Sequence, residues 1–263
     1  MRSTWDPAQY ERFRDERDRP FYDLLALVQP KPGLRAVDLG CGTGELTRAL
    51  HRTLDAHETL GIDNAETMLR KSDAFASDGL RFALEDIAAF AADRANDASF
   101  DLVFSNAALQ WVPDHEALLR RLTALLADGG QLAVHVPANY DHPAHVVAAE
   151  VAAEEPFRAA LGGSRGIAGA RPVLPPEGYA DLLDRLGYRD QHVRLQVYGH
   201  HMNSWEDVVE WVKGSLLTDY QRRLPPDLYP PFLERYRELL SARLDYARPY
   251  FYPFKRILLW GQR

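Results

Sequence analysis

Short apolar runs that end in polar or turn residues alternate with helix-like stripes through the first half of the chain. RAVDLG (35–40), ETLGID (58–63), LRFALED (80–86), FDLVFSN (100–106) and GQLAVHVP (130–137) read as strands. Between them the period is helical. In DHEALLRRLTALLADGG, Leu118, Leu119, Leu122, Leu125 and Leu126 form one stripe, which Gly129 and Gly130 end. Such alternation predicts βαβ units around a parallel sheet.

After Pro137 the rhythm changes. Residues 138–178 hold a helix-prone Ala/Val/Glu segment and then LGGSRGIAGARPVLPPEG, whose Gly, Pro and Arg content predicts a loop over the core. YADLLDRLGY returns to helix, and DQHVRLQVYGHHM alternates as a strand does. Ser204 with Asp207 three residues on reads as a helix start, with Trp205, Val208, Val209 and Val212 on one face. A second long helix is expected after Pro231, on Leu233, Tyr236, Leu240 and Leu244, and YPFKRILLWGQR closes the chain as a strand. The predicted core spans about 33–137 with 190–201 and 254–261. A helical cap is expected from 1–30, 138–178 and 204–245. No internal repeat or low-complexity tract is visible.

At 263 residues, 46% hydrophobic and 26% charged, the chain can bury a substantial core. A formal net charge of -7 favours neither nucleic acid nor an anionic membrane. In ERFRDERDRP acidic residues sit between the basic ones, as on a solvated helix face. Cys41 is the only cysteine, so an internal disulfide and a Cys-based zinc site are excluded. His142 and His145, and His200 with His201, lack the carboxylate pattern of a metal site, and no metal is expected. The start, MRSTWDPAQY, has no apolar signal core, and no segment approaches the ~18 apolar residues of a membrane span. These features predict a cytoplasmic protein.

The chemistry concentrates in AVDLGCGTGEL, where Gly40, Gly42 and Gly44 follow Asp38. After a strand, such a loop turns into a helix and lets a ligand approach the backbone at the carboxyl edge of the sheet. A dinucleotide fingerprint would need glycine where Glu45 stands, and no Gly-Lys-Ser/Thr ending marks a P-loop. Asp63 and Asp86 recur at the next two strand ends. Three carboxylates around one crevice would repel a pyrophosphate. They suit a ligand with an ammonium group, a ribose diol and an adenine amine, as in S-adenosylmethionine.

The pattern resembles the Rossmann-like class I S-adenosylmethionine-dependent methyltransferases. FDLVFSNAALQWVPDHEALLRRLTALLADGGQLAVHVP, WDPAQYERFRDERDRPFYDLL and HHMNSWEDVVEWV are similar, over nearly the whole chain, to the trans-aconitate methyltransferase family. The resemblance implies a seven-stranded, mostly parallel sheet with an antiparallel last strand and an added helical cap. It implies that Asp38 and the glycine loop hold the methionine end of the cofactor, that Asp63, with Asn64 beside it, takes the ribose hydroxyls, and that Met68 packs on adenine. Asp86 would accept from the adenine amine beside Ile87, and Asn106 would lie near the sulfonium. Tyr10 and Arg17 would close over the cofactor carboxylate or the acceptor.

The family forms a methyl ester on a carboxylate, which is already ionised at neutral pH and needs no base. Gln110 and Trp111 are then candidates to hold the acceptor anion through an amide and an indole N–H. A polyanionic acid would also draw on Arg17, Arg19, His200, His201, Lys255 and Arg256. Two departures bear on the acceptor: Thr218 stands about where the family has an arginine, and FKRIL with Lys255 replaces F-P-R-L-F. A less charged acid remains open, because related insect enzymes use a comparable Gln and Trp to esterify a terpenoid acid. So do a phenol or amine acceptor, an NAD-dependent dehydrogenase and a non-catalytic cofactor-binding module. The expected partner is a small-molecule acid, and the chain is expected to act as a monomer or homodimer.

Overall fold

The computed structural model describes residues 14–164, 166, 173–244 and 248–263, with side chains from residue 18 onward. In chain order the elements that build the sheet region are α1 (Arg14–Leu25), β1 (Arg35–Leu39), α2 (Glu45–Thr53), β2 (Glu58–Asp63), α3 (Glu66–Ser72), β3 (Leu80–Leu84), α4 (Ile87–Ala92), β4 (Phe100–Asn106), α5 (His115–Ala124) and β5 (Leu126–Pro137). Then come α6 (Pro143–Val151), α7 (Phe157–Ala160), α8 (Pro176–Arg185), β6 (Asp190–Met202), α9 (Glu206–Lys213), α10 (Leu216–Arg223), α11 (Tyr229–Ser241) and β7 (Tyr250–Gln262).

The seven strands form one sheet in the order β3-β2-β1-β4-β5-β7-β6. β1 to β5 pair in parallel, and β7 runs antiparallel to β5. The order turns around between β1 and β4, and register sets Asp38 beside Gly61, Asp63 beside Leu84 and Asn106 beside His135. In such a sheet the loops at the carboxyl ends of the strands around that turnabout line a crevice. Parallel central strands covered on both faces should be apolar throughout. β1 and β4 follow this at their centres, with Ala36, Val37, Leu39, Leu102, Val103 and Phe104 buried, while Asp38, Asp101 and Ser105 are buried polar exceptions. Phe21 of α1 meets Phe104 edge-on at 5.4 Å between ring centres. Its complete burial contributes ~1.5–3 kcal/mol and holds α1 to the sheet.

Two compact units divide the chain: Ala8–Pro137 with Pro172–Gln196 and Arg256–Arg263, and Ala138–Arg171 with Val197–Lys255. The second is mainly helical. α11 buries Phe232, Tyr236 and Leu240, one residue per turn, and the Tyr236 hydroxyl donates to the Ala144 carbonyl of α6 at 3.0 Å. Phe232 stacks on Tyr220 at 4.8 Å. The Arg235 guanidinium reaches both carboxylate oxygens of Glu154. Trp211 is buried against His200, Tyr252 and Phe254.

Several boundaries depart from the sequence reading. α5 stops at Ala124, and Leu126 already belongs to β5. Leu125 and Leu126 are buried either way, so the helical stripe ran on into the strand; a register shift after Phe100 absorbs the extra residues. β3 ends at Leu84, two residues early, which turns Asp86 from a strand end into the cap of α4. Asp207 accepts from the backbone N–H of Asn203 and not of Ser204, and α9 starts at Glu206. α11 takes Pro230 and Pro231 into its first turn, where their missing N–H groups cost nothing. α10 was not foreseen. Most of the Gly/Pro/Arg-rich stretch, residues 165 and 167–172, lies outside the described residues.

Candidate active site

The three loop glycines have φ of 80°, 58° and 80°, the left-handed region that glycine enters without a Cβ penalty. Their surroundings differ. A Cβ on Gly40 would lie 2.2 Å from the Ala108 Cβ, and one on Gly44 would lie 2.6–2.8 Å from Ser72 and the Phe82 ring. Those two glycines are demanded by the fold itself. Among the described residues, a Cβ on Gly42 would have only the Met68 methyl within 4 Å, at 3.8 Å. Of those residues nothing else fills the space over Gly42. The backbone N–H groups of Gly40 and Cys41 both donate to the Ile62 carbonyl, at 2.8 and 2.9 Å, and tie the loop to β2. Cys41 is buried, and burial together with the Asp38 and Asp63 charges pushes its thiol far above the usual range, so it is inert filler.

Asp38 is 4% exposed. One oxygen accepts from the Thr47 hydroxyl of α2 at 2.6 Å, and the other, Oδ1, has no partner among the described residues. Burial raises its pKa to about 7, against the opposing Thr47 bond and with a further push from the Asp63 charge. A buried carboxylate oxygen without a donor is costly unless a ligand supplies one. An ammonium group is such a donor.

Asp63 sits at the end of β2 with one oxygen on each of two loops. Oδ2 accepts from the Gly42 N–H at 2.9 Å and Oδ1 from the Ala65 N–H at 2.8 Å. A carboxylate has about four acceptor sites, so two stay open for a diol. Asp86 caps α4 through Oδ1, which accepts from Ala88 and Ala89 at 2.9 and 3.1 Å. Among the described residues its Oδ2 has only the Asn64 amide, at 3.5 Å. Asp86 is thus a helix cap through one oxygen, and the other keeps acceptor capacity for a ligand amine. The Ile87 Cδ1 lies 3.8 Å from where a Gly40 Cβ would be, so Ile87 and Met68 border the glycine loop at Gly40 and Gly42 respectively. Glycine cradle, orphan carboxylate oxygen and flanking apolar groups fit S-adenosylmethionine.

Asn106 ends β4, and its Oδ1 meets the His135 Nδ1 at 2.7 Å. Ala107 then turns at φ 55° and leads into a short helical turn, Leu109–Trp111. His115 pins that turn. Its Nε2 donates to the Leu109 carbonyl at 2.9 Å, so its Nδ1 accepts from the Tyr179 hydroxyl. Gln110 is 8% exposed and donates to the Ala107 carbonyl at 2.6 Å, with Oε1 buried and without a partner among the described residues. Trp111 is 47% exposed.

The remaining candidates divide. Tyr10 lies outside the described residues, as does the side chain of Arg17. Arg256 is buried on His135, and the Lys255 ammonium contacts both Asp141 oxygens, so these two cations are committed inside the fold. His200 is buried on Trp211, and His142 caps α6 by accepting from the Ala144 N–H at 3.1 Å. Thr218 donates to the Lys213 carbonyl at 2.9 Å. Sequence reasoning missed Thr47, His115, His135 and Tyr179. Each acts through a side-chain partner that local spacing does not report: Thr47 through Asp38 9 residues away, His115 and Tyr179 through each other 64 apart, and His135 through Asn106 29 away and Arg256 121 away.

The chain matches a family described as a methyltransferase domain over residues 30–166. It is 43% identical to the trans-aconitate 2-methyltransferase of Deinococcus radiodurans, over 99% of this chain and 98% of that one. It is 41% identical to the enzyme of the same name from Variovorax paradoxus, over 97% and 94%. Among solved structures, the YcgJ protein of Bacillus subtilis superposes with a TM-score of 0.62 at 14% identity, covering 93% of this chain and 98% of that one. Phosphoethanolamine N-methyltransferase 2 of Haemonchus contortus, solved with S-adenosyl-L-methionine, gives 0.53 at 16% identity, covering 93% and 52%. Among the described residues no helix is long and apolar enough to cross a membrane. With a glycine cradle, an orphan carboxylate oxygen and full-length relatives of one name, the chain belongs to the trans-aconitate 2-methyltransferase family of methyltransferases.

Proposed function

We propose that the protein transfers a methyl group from S-adenosylmethionine to a carboxylate oxygen of a small organic acid resembling trans-aconitate, giving a methyl ester. The observations that carry the cofactor half are the buried Oδ1 of Asp38, without a partner among the described residues, and the room over Gly42, where of those residues only the Met68 methyl comes within 4 Å. The acid half rests on the full-length relatives and on a site whose polar groups are positioners. When bound, the cofactor supplies a methyl carbon on a cationic sulfur, which leaves as a neutral thioether once an ionised carboxylate oxygen has taken the methyl.

Asp38 would take the ammonium group, Asp63 the ribose diol and the spare oxygen of Asp86 the adenine amine, with Met68 and Ile87 against the ring. Asn64 steadies Asp86. Asn106, Gln110 and Trp111 would orient the acceptor. An acceptor of ordinary pKa, ~4, arrives ionised, so alignment and exclusion of water are the main requirements. Tyr10 and Arg17 remain candidates for closing the site.

A second reading, a less charged acid, is favoured by the engagement of Lys255 with Asp141 and of Arg256 with His135. The test is release of S-adenosylhomocysteine across a panel of tricarboxylic, dicarboxylic and long-chain monocarboxylic acids, phenols and amines. Turnover of trans-aconitate supports the first reading, and preference for a monocarboxylic acid supports the second. Turnover confined to phenols or amines would overturn both.

A further inference from the structure

Asn106 and His135 are register partners on β4 and β5, and their side chains meet at 2.7 Å. The other ring nitrogen, Nε2, lies 3.0 Å from the Arg256 guanidinium. Arg256 comes from β7, where it stands across from Pro137 of β5. His135 is 1% exposed and Arg256 6%.

The donor roles along this chain follow one from another. A guanidinium has N–H donors and no acceptor, so the Nε2 of His135 must accept. A neutral imidazole that accepts at Nε2 carries its proton on Nδ1. Nδ1 therefore donates, and the Asn106 atom facing it must be the carbonyl oxygen. Burial first, and then the adjacent Arg256 charge, hold His135 well below the ordinary imidazole range, so the ring stays neutral.

We propose that Arg256 and His135 are positioning residues for methyl transfer: through this chain they fix the side-chain amide of Asn106 so that its N–H2, and not its oxygen, is presented at the carboxyl end of β4. The inference rests on the reading above, in which Asn106 adjoins the reacting groups. A donor there suits a carboxylate oxygen, whether of the acceptor or of the cofactor, and an amide oxygen in its place would repel one. An arginine supplies a donor that never titrates, so the orientation holds at every working pH.

Two measurements test this. Nitrogen-15 spectra of the His135 ring should show a protonated Nδ1 and an unprotonated Nε2 in the wild type, and mixed tautomers in Arg256→Met. In kinetics with S-adenosylmethionine and trans-aconitate, Arg256→Met should lose about 10- to 100-fold in kcat/KM, while Arg256→Lys, which keeps a donor, stays within about 5-fold. Asn106→Asp covers the case in which Arg256→Met fails to fold. It keeps the acceptor for His135 but replaces the amide nitrogen with oxygen, and should lose at least about 30-fold at an unchanged melting temperature. A loss confined to acceptor turnover identifies the acceptor carboxylate as the partner, and a weakened cofactor Kd identifies that of the cofactor. A wild-type ring protonated on Nε2, or wild-type kcat/KM in folded Arg256→Met or Asn106→Asp, overturns the proposal. The spectra report on the chain whatever the acceptor is, so failure to turn over trans-aconitate counts against the functional reading and not against this one.

Discussion

Gly42 donates its backbone N–H to the Oδ2 of Asp63 at 2.9 Å, so the middle of the glycine loop is fastened to the last residue of the neighbouring strand. The other oxygen of Asp63 holds Ala65 at the entry to α3. Asp63 thus shapes the two loops between which the proposed ribose would lie. Two charge-assisted hydrogen bonds to a diol contribute ~1.5–3 kcal/mol each. Asp63→Ala is expected to weaken S-adenosylmethionine binding about 100-fold or more and to lower the melting temperature through the two lost backbone bonds. Asp63→Asn, which keeps one acceptor oxygen, should fall between. Titration calorimetry and thermal melting check this; wild-type affinity in Asp63→Ala would end the ribose assignment.

Asp38 predicts a pH dependence with a definite sign. Its folded pKa of about 7 lies above the ordinary 3.8, so the native state holds a proton that the unfolded chain has already released. This contribution to stability is complete below about pH 4 and is lost as pH rises through about 7. The ligand-free wild type should lose melting temperature between pH 5 and 8 relative to Asp38→Asn, whose neutral amide has no such loss. Binding of the cofactor ammonium should release a proton near pH 7, visible as buffer-dependent calorimetric heat. Asp38→Asn should bind the cofactor at least about 10-fold more weakly. Parallel melting curves for the two proteins would show that Asp38 is ionised without its ligand.

The glycines separate fold from ligand. Gly40→Ala meets both a positive φ, which costs ~1–2 kcal/mol, and the Ala108 Cβ at 2.2 Å. It should melt several degrees lower, and Gly40→Ala with Ala108→Gly should recover only the steric part. Gly42→Ala faces a positive φ but only the Met68 methyl. Its melting temperature should fall less, and its cofactor affinity should fall by more than the stability change accounts for, because the new methyl occupies the approach to the loop. Comparing the two variants by melting and calorimetry tests which glycine serves the ligand.

The strands and the glycine loop were legible in the sequence because each is a local event: an apolar run, a polar stop and a turn. The end of α5 was not, since Leu125 and Leu126 satisfy a helical stripe and a buried strand equally. Asp86 was legible as an acid at a strand end, yet no spacing rule separates a helix cap from a ligand contact, and its two oxygens allow it to be both. Lys255 and Arg256 read as spare cations for a polyanion. Their partners, Asp141 and His135, lie 114 and 121 residues away and were brought alongside only by the fold. Isolated histidines such as His115 and His135 gave no signal for the same reason.

Trp111 and Gln110 are neighbours with opposite burial, and the contrast separates their roles. Trp111 is exposed on a turn that His115 already holds, so Trp111→Ala should leave the melting temperature within about 2 °C. If the indole orients the acceptor, kcat/KM for the acid drops about 10-fold or more while the cofactor Kd stays unchanged. Gln110 is buried, with one amide hydrogen on Ala107 and an oxygen that has no donor among the described residues. Were that oxygen purely structural, Gln110→Leu would remove an unsatisfied acceptor and leave activity intact. The expected result is the reverse. Gln110→Leu should keep or raise the melting temperature and lose acid turnover, because on the proposed reading its remaining amide hydrogen is the donor that meets the acceptor carboxylate. Steady-state kinetics alongside melting curves distinguishes the two, and an active, stabilised Gln110→Leu would return Gln110 to the scaffold.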